Sequence, residues 1–139
     1  MNRKIFLPLT AALILTACAG GPSVSGNWQH IGNTHNGNIR AYIDKDSISR
    51  QGDNVSFRDR KVVQKPEQER YVNMPAYKTA VGTWQIQCRA KTYRLTALQL
   101  LAADGREIFN QQYAASMVAA SNIPAGSLTE AQWKTVCAR

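Results

Sequence analysis

Three cysteines, Cys18, Cys88 and Cys137, constrain this chain more than any other feature. An exported protein with an odd number of cysteines has one thiol to account for. The start of the chain says which. A basic Asn2-Arg3-Lys4 precedes an apolar run from Ile5 to Leu15, broken only by Pro8 and Thr10. This charged-then-apolar order is that of a bacterial secretory signal, and the run is well short of the ~20 residues a membrane-spanning helix requires. Leu15-Thr16-Ala17-Cys18 then has the form of a lipobox: a leucine, two small residues and the cysteine that receives lipid. Cleavage before Cys18 divides the chain into a lipoprotein signal peptide (1–17), a lipidated flexible tether (18–26) and a folded domain (27–139). The same letters contain Ala17-Cys18-Ala19, an A-x-A pattern that an ordinary signal peptidase would cut after Ala19. With a diacylglycerol on the thiol and an acylated amino group, two or three chains hold the protein to a membrane stably, where one would hold it marginally.

If Cys18 is lipidated, Cys88 and Cys137 are left as a pair that an oxidising compartment would join. The loop so closed, 137 − 88 = 49 residues, corresponds to roughly 4 kcal/mol of stabilisation by the chain-entropy estimate. Two buried free thiols are the alternative. No histidine lies near either cysteine in sequence, which argues against a metal site.

The domain is long enough for one modest core. Lys+Arg is 17 against 9 acids, and Arg3 and Lys4 leave with the signal, so the mature chain carries about +6. An exported basic protein does not meet chromosomal DNA, and no nucleic-acid partner is expected. Sulphated polysaccharides, lipid headgroups or acidic protein patches are the polyanions within its reach.

The pattern of alternation predicts strands. Asn27–Ile31, Ile39–Ile43, Val55–Val63, Tyr77–Cys88, Lys91–Leu101 and Glu107–Tyr113 are separated by turn-forming runs such as 32–38, 51–54 and 103–106. Trp28 is a core candidate. In the fourth strand Ala80, Gly82, Trp84, Ile86 and Cys88 share a face, and Gly82 signals a bulge or a close approach. Residues 64–74 form a polar surface connection, and 114–125 has no clear pattern. Ser127-Leu128-Thr129-Glu130 matches a capping box and opens a helix to about Cys137. That helix places Leu128, Ala131, Trp133, Val136 and Cys137 mostly on one side. The expected fold is α+β: an antiparallel sheet of about six strands with a C-terminal helix packed on it and one disulfide.

Catalysis finds little support. There is no G-x-S-x-G, H-E-x-x-H or phosphate-binding glycine loop. His30 and His35 lack two further ligands for zinc. Asp44-x-Asp46 resembles a calcium loop, but Ile48 and Ser49 stand where a ligand and a glycine should be, so Asx-turn duty is the better reading. No metal, cofactor or catalytic residue is expected. Binding has more to offer: Arg58, Arg60, Lys61, Lys65, Arg70 and Lys78 crowd one strand-loop-strand segment, and Arg89, Lys91 and Arg94 form a second basic group. A binding surface and a solvated, charge-protected sheet face are equally good readings of these residues.

Ala41-Tyr42-Ile43-Asp44-Lys45-Asp46-Ser47-Ile48 resembles the Tyr-Ile-Asp-x-x-Ser-Ile signature of the surface-adhesin protein E family of Gram-negative lipoproteins. Trp84-Gln85-Ile86-Gln87-Cys88, Tyr93-Arg94-Leu95 and Cys137 extend the resemblance over most of the mature chain. It implies a sheet of about six strands with a helix tied to it by the Cys88–Cys137 disulfide. It also implies an adhesin for host matrix and plasma proteins such as vitronectin, laminin and plasminogen, able to form a homodimer. The family's ligand-binding stretch corresponds here to residues 65–87. Ala19, rather than aspartate, after the lipidated cysteine implies an outer-membrane location by similarity to known lipoproteins. The competing expectation is a periplasm-facing accessory lipoprotein, structural or inhibiting a cell-wall hydrolase.

Overall fold

A computed structural model describes residues 24–138. Cys18 and the lipobox lie outside the described residues.

Eight strands and one helix follow in order: β1 (Trp28–Asn33), β2 (Ile39–Asp44), β3 (Ser49–Gln51), β4 (Asn54–Val63), β5 (Thr79–Gln87), β6 (Thr92–Leu101), β7 (Glu107–Gln112), β8 (Ser121–Asn122) and α1 (Leu128–Cys137). Single 3-10 turns lie at Lys45–Ser47 and Pro66–Gln68. All pairings are antiparallel, in the spatial order β1-β2-β4-β5-β6-β7. The two short strands add no new position. β3 continues along the same edge of β4 that β2 occupies, and β8 rejoins the edge of β6 that β7 follows. Each course is therefore one strand interrupted, by the 3-10 turn in one case and by residues 113–120 in the other. The six-strand reading of the sequence stands with two small additions.

Period-two alternation sorts the side chains. Ile43, Val55, Phe57 and Ile86 are fully buried on the face that receives α1, where Val136 and Ile123 complete the core. Burying side chains of this size stabilises by ~1.5–3 kcal/mol each, before chain entropy is counted. Ile123 comes from the stretch whose pattern was unreadable, and it seats the segment leading into the helix. Ser127 caps α1, its Oγ accepting from the Glu130 N–H at 3.1 Å. The Glu130 side chain reaches back to the Gly126 N–H at 3.3 Å, one residue beyond the expected capping-box partner.

Three ties hold the helix to the turn after β5. Cys88 and Cys137 form the disulfide, with Cα atoms 5.7 Å apart. Trp133 Nε1 donates to the Cys88 carbonyl at 3.0 Å. Lys91 Nζ meets Glu130 at 2.7 Å and lies over the Trp133 ring.

One expectation for an individual residue needs correction. Trp28 is not in the helix-side core. It lies half-buried on the opposite face, beneath arginine side chains, because its register against Asp44 puts it, like His30 opposite Tyr42, on that side. On α1, Val136 is in the core and Trp133 and Cys137 pack against it as expected, and Gln132, 1 % exposed, joins them.

Candidate ligand surface

The buried face contains one charged group at its centre. Asp59 on β4 is 1 % exposed and has four donors. Oδ1 accepts from the Gly82 N–H at 3.1 Å and Trp84 Nε1 at 2.8 Å. Oδ2 accepts from Gln132 Nε2 at 2.6 Å and from Lys61 Nζ. A buried carboxylate is tolerable only when so paired. The network explains Gly82: a Cβ there would lie 2.5 Å from Trp84 Nε1 and 2.8 Å from Asp59 Oδ1. The close approach expected of this glycine is that of a carboxylate, and the position has no left-handed φ.

The opposite face of the sheet is open. The turn at its edge, residues 42–48, has a part for each residue. Tyr42 sits on the open face with Arg60 stacked on its ring at 4.7 Å, and Ile43 is fully buried behind it. Asp44 caps the 3-10 turn, accepting from the Asp46 N–H at 3.2 Å and the Asn27 N–H at 3.0 Å. Its Oδ2 pairs with Arg58 at 2.6 Å. Ser47 Oγ donates to the Asp44 carbonyl and accepts from the Arg58 N–H. Ile48 closes the turn against the core. The Asp44 carboxylate thus serves the backbone, as expected of an Asx turn, while Asp46 Oδ1 accepts from Asn27 Nδ2 at 3.2 Å. This turn, with the strand ending at Cys88 and its disulfide to Cys137, coincides with a match to the family model "surface-adhesin protein E" over residues 28–138.

The chain belongs to the surface-adhesin protein E family. It is not a family of enzymes, and its name places its members at the cell surface. No curated protein and no solved structure matches the chain. Among the described residues no helix is long and apolar enough to cross a membrane, and no cluster of three metal-ligating side chains occurs.

The fold disperses the basic residues singled out in the sequence. Arg58 and Arg60 stand side by side on the open face, both over Trp28, at 5.0 and 4.7 Å from its ring. Lys61 points to the other face, paired with Asp59. Lys91 lies on the helix side with Glu130, and Arg89 is exposed in the turn beside it, its N–H held by Asp53. Lys65, Arg70 and Lys78 belong to the long connection 64–78 at the far end of the sheet. There Lys78 Nζ donates to the Gln64 carbonyl at 2.9 Å, and Lys65 and Arg70 are exposed. Arg94 is on the open face, bonded to Gln85. His30 and His35 do not converge: His30 contacts Asn33 and the Tyr42 ring, and His35 is exposed in the first hairpin loop beside Glu69.

Three residues that organise the domain gave little sequence signal. Asn38, read as a turn former, is 5 % exposed and pins the long connection. Its Nδ2 donates to the Lys65 carbonyl at 3.0 Å and to Glu69 at 2.6 Å, and its Oδ1 accepts from the Lys65 N–H at 2.8 Å. Asp59 was legible only as an acid interrupting a basic run, and Gln132 only as a polar position in a helix.

Proposed function

We propose that this protein is an outer-membrane lipoprotein, anchored through Cys18, that acts as a surface adhesin for host matrix or plasma proteins. The ligand class follows the family: vitronectin, laminin or plasminogen. The observation that carries the reading is the polarity of the fold. The chain enters β1 at the level of Asp44, where Val24 and Ser25 are bonded to Trp28 and Arg58. From there β1 runs to the end of the sheet that carries residues 34–38, 64–78 and 102–106.

An anchor on Cys18 therefore holds the entry level near the membrane and turns the long connection away from it. That connection displays Val72, 72 % exposed, and Met74, 41 % exposed, beside Arg70 and Lys65. Apolar tips among charges of both signs, Lys65, Glu67, Glu69 and Arg70, are suited to a protein partner, because anchors that exclude water contribute most and rim charges steer the encounter. The Asn38 contacts hold the base of the connection in one shape, which lowers the ordering cost on binding.

The test is binding of immobilised vitronectin, laminin and plasminogen to intact cells that display the protein, compared with cells carrying Val72→Ser/Met74→Ser. Binding reduced severalfold by the double variant, at equal surface expression, is the expected result. Complete shielding of the protein from added protease on intact cells would overturn the adhesin reading and favour the periplasm-facing one.

A further inference from the structure

The open face holds a second arrangement, away from the long connection. Arg60 stands at its centre with its guanidinium 4.7 Å from both the Trp28 and Tyr42 ring centres. Its Nε is buried and has no hydrogen-bond partner, and no carboxylate pairs with it among the described residues. Buried donors are almost always satisfied, so this N–H takes its acceptor from water or from a ligand brought to the face. The two rings fix the plane of this cation in advance.

A hollow flanks Arg60 on each side. One, of about 310 Å³, is lined by His30, Asn33, Arg40 and Tyr42. The other, of about 190 Å³, has Val81 and Thr83 in its lining with Arg58, Gln99 and Asn110 around them. The charge on this face is lopsided. Its carboxylates are Asp44, held by Arg58, and Glu107, at the β7 edge, where Gln99 and Asn110 donate to it. Arg40 and Arg60 remain without a carboxylate. α1 lies on the other side of the sheet; on this face residues 24–26 pack at Trp28 and Arg58, and residues 115–120 line a hollow with Gln85 and Arg94.

We infer that this face binds a linear polysaccharide carrying sulphate or carboxylate groups, with Arg60 and Arg40 on the anions and the amide and hydroxyl side chains of the two hollows on the sugar. A planar guanidinium forms paired hydrogen bonds with such oxyanions, which an ammonium group cannot do. Arginines with Asn33 on one side and Thr83, Gln99 and Asn110 on the other fit a ligand that is both charged and hydroxylated. An acidic peptide, which lacks dense hydroxyls, would use the arginines alone. The surface is distinct from the 64–78 connection, so the site stands or falls independently of the proposed protein ligand.

The experiment is calorimetric titration of the full chain, purified in neutral detergent, with a heparin octasaccharide. Binding that weakens with salt is expected, as is a loss of about tenfold in Arg60→Gln, the size of one charge-assisted hydrogen bond. Arg40→Ala and Asn33→Ala, both exposed and remote from the core, should each weaken binding by about threefold. They keep the test decisive if Arg60→Gln disturbs the fold. Lys65→Ala/Arg70→Ala should bind as wild type does. The proposal is overturned by absence of binding at millimolar octasaccharide, or by unchanged affinity in the Arg60 and Arg40 variants. A glutamate octapeptide that binds as tightly as heparin through the same arginines would also overturn it, in favour of an acidic-peptide site.

Discussion

At the scale of single residues, the domain is organised around a carboxylate that no local pattern announces. Asp59 sits between Arg58 and Arg60 in sequence, where alternation alone decides that it faces inward while they face out. Once inside, it needs donors from three other elements: Gly82, Trp84 and Gln132. Replacing it by alanine leaves those three donors buried without an acceptor and the Lys61 ammonium without its partner. Asp59→Ala should therefore destabilise the domain by roughly 3–5 kcal/mol, the usual cost of breaking a buried pair. Gly82→Ala should cost about 1–3 kcal/mol, because the new methyl displaces the Trp84 or Asp59 contact. Urea unfolding monitored by tryptophan fluorescence measures both; a loss below about 1 kcal/mol for Asp59→Ala would contradict the structural role given to the network. Legibility at this scale was uneven. Gly82 could be flagged because glycine in a strand interior needs a reason, whereas Asn38 and Gln132 acquire their roles from residues about 30 to 70 positions away.

At the scale of elements, what repeats along the chain was readable and what depends on interruption was not. Six strands and the helix follow from alternation, turn formers and Ser127 at the cap. β3 and β8 are too short to show a period, and each exists because a longer neighbour offers free backbone groups. The turn between β2 and β3 is the element where family signature and physics meet. Burial alone would raise the Asp44 carboxyl, but hydrogen bonds from Arg58, Asn27 and Asp46, with the Arg58 charge, outweigh it and hold the group below its ordinary value. A depressed carboxyl adds stability above its unfolded value, and that stability is lost as pH falls through the folded one. Stability should thus decline below about pH 4, the unfolded aspartate range. Asp44→Asn should be less stable than wild type at pH 7 and should show a flatter decline below pH 4 in denaturant titrations at stepped pH. A parallel decline in both proteins would assign the acid sensitivity elsewhere.

At the scale of the whole molecule, the two faces and two ends of one sheet carry separate tasks. The helix face is committed to stability, through the core, the Asp59 network and the disulfide closing 49 residues. Such a loop corresponds to about 4 kcal/mol. The open face and the far end are the surfaces proposed for ligands, and the entry of the chain decides which end is far. Six residue steps separate Cys18 from Val24, a reach of at most ~20 Å even when extended. From the entry level, β1 rises ~20 Å to the end that carries the 64–78 connection. A lipid anchor at Cys18 therefore restricts approach to the entry level far more than to the distal loop. Single cysteines placed at exposed positions test this: Val72→Cys at the distal end and Lys45→Cys beside the entry. On cells or vesicles bearing the anchored protein, a 5 kDa polyethylene glycol maleimide should label Val72→Cys severalfold faster than Lys45→Cys. In detergent, where no bilayer stands beside the domain, the two rates should converge. Equal rates on the membrane would mean that the anchor does not orient the domain, and the distal loop would lose its claim to be the part presented first.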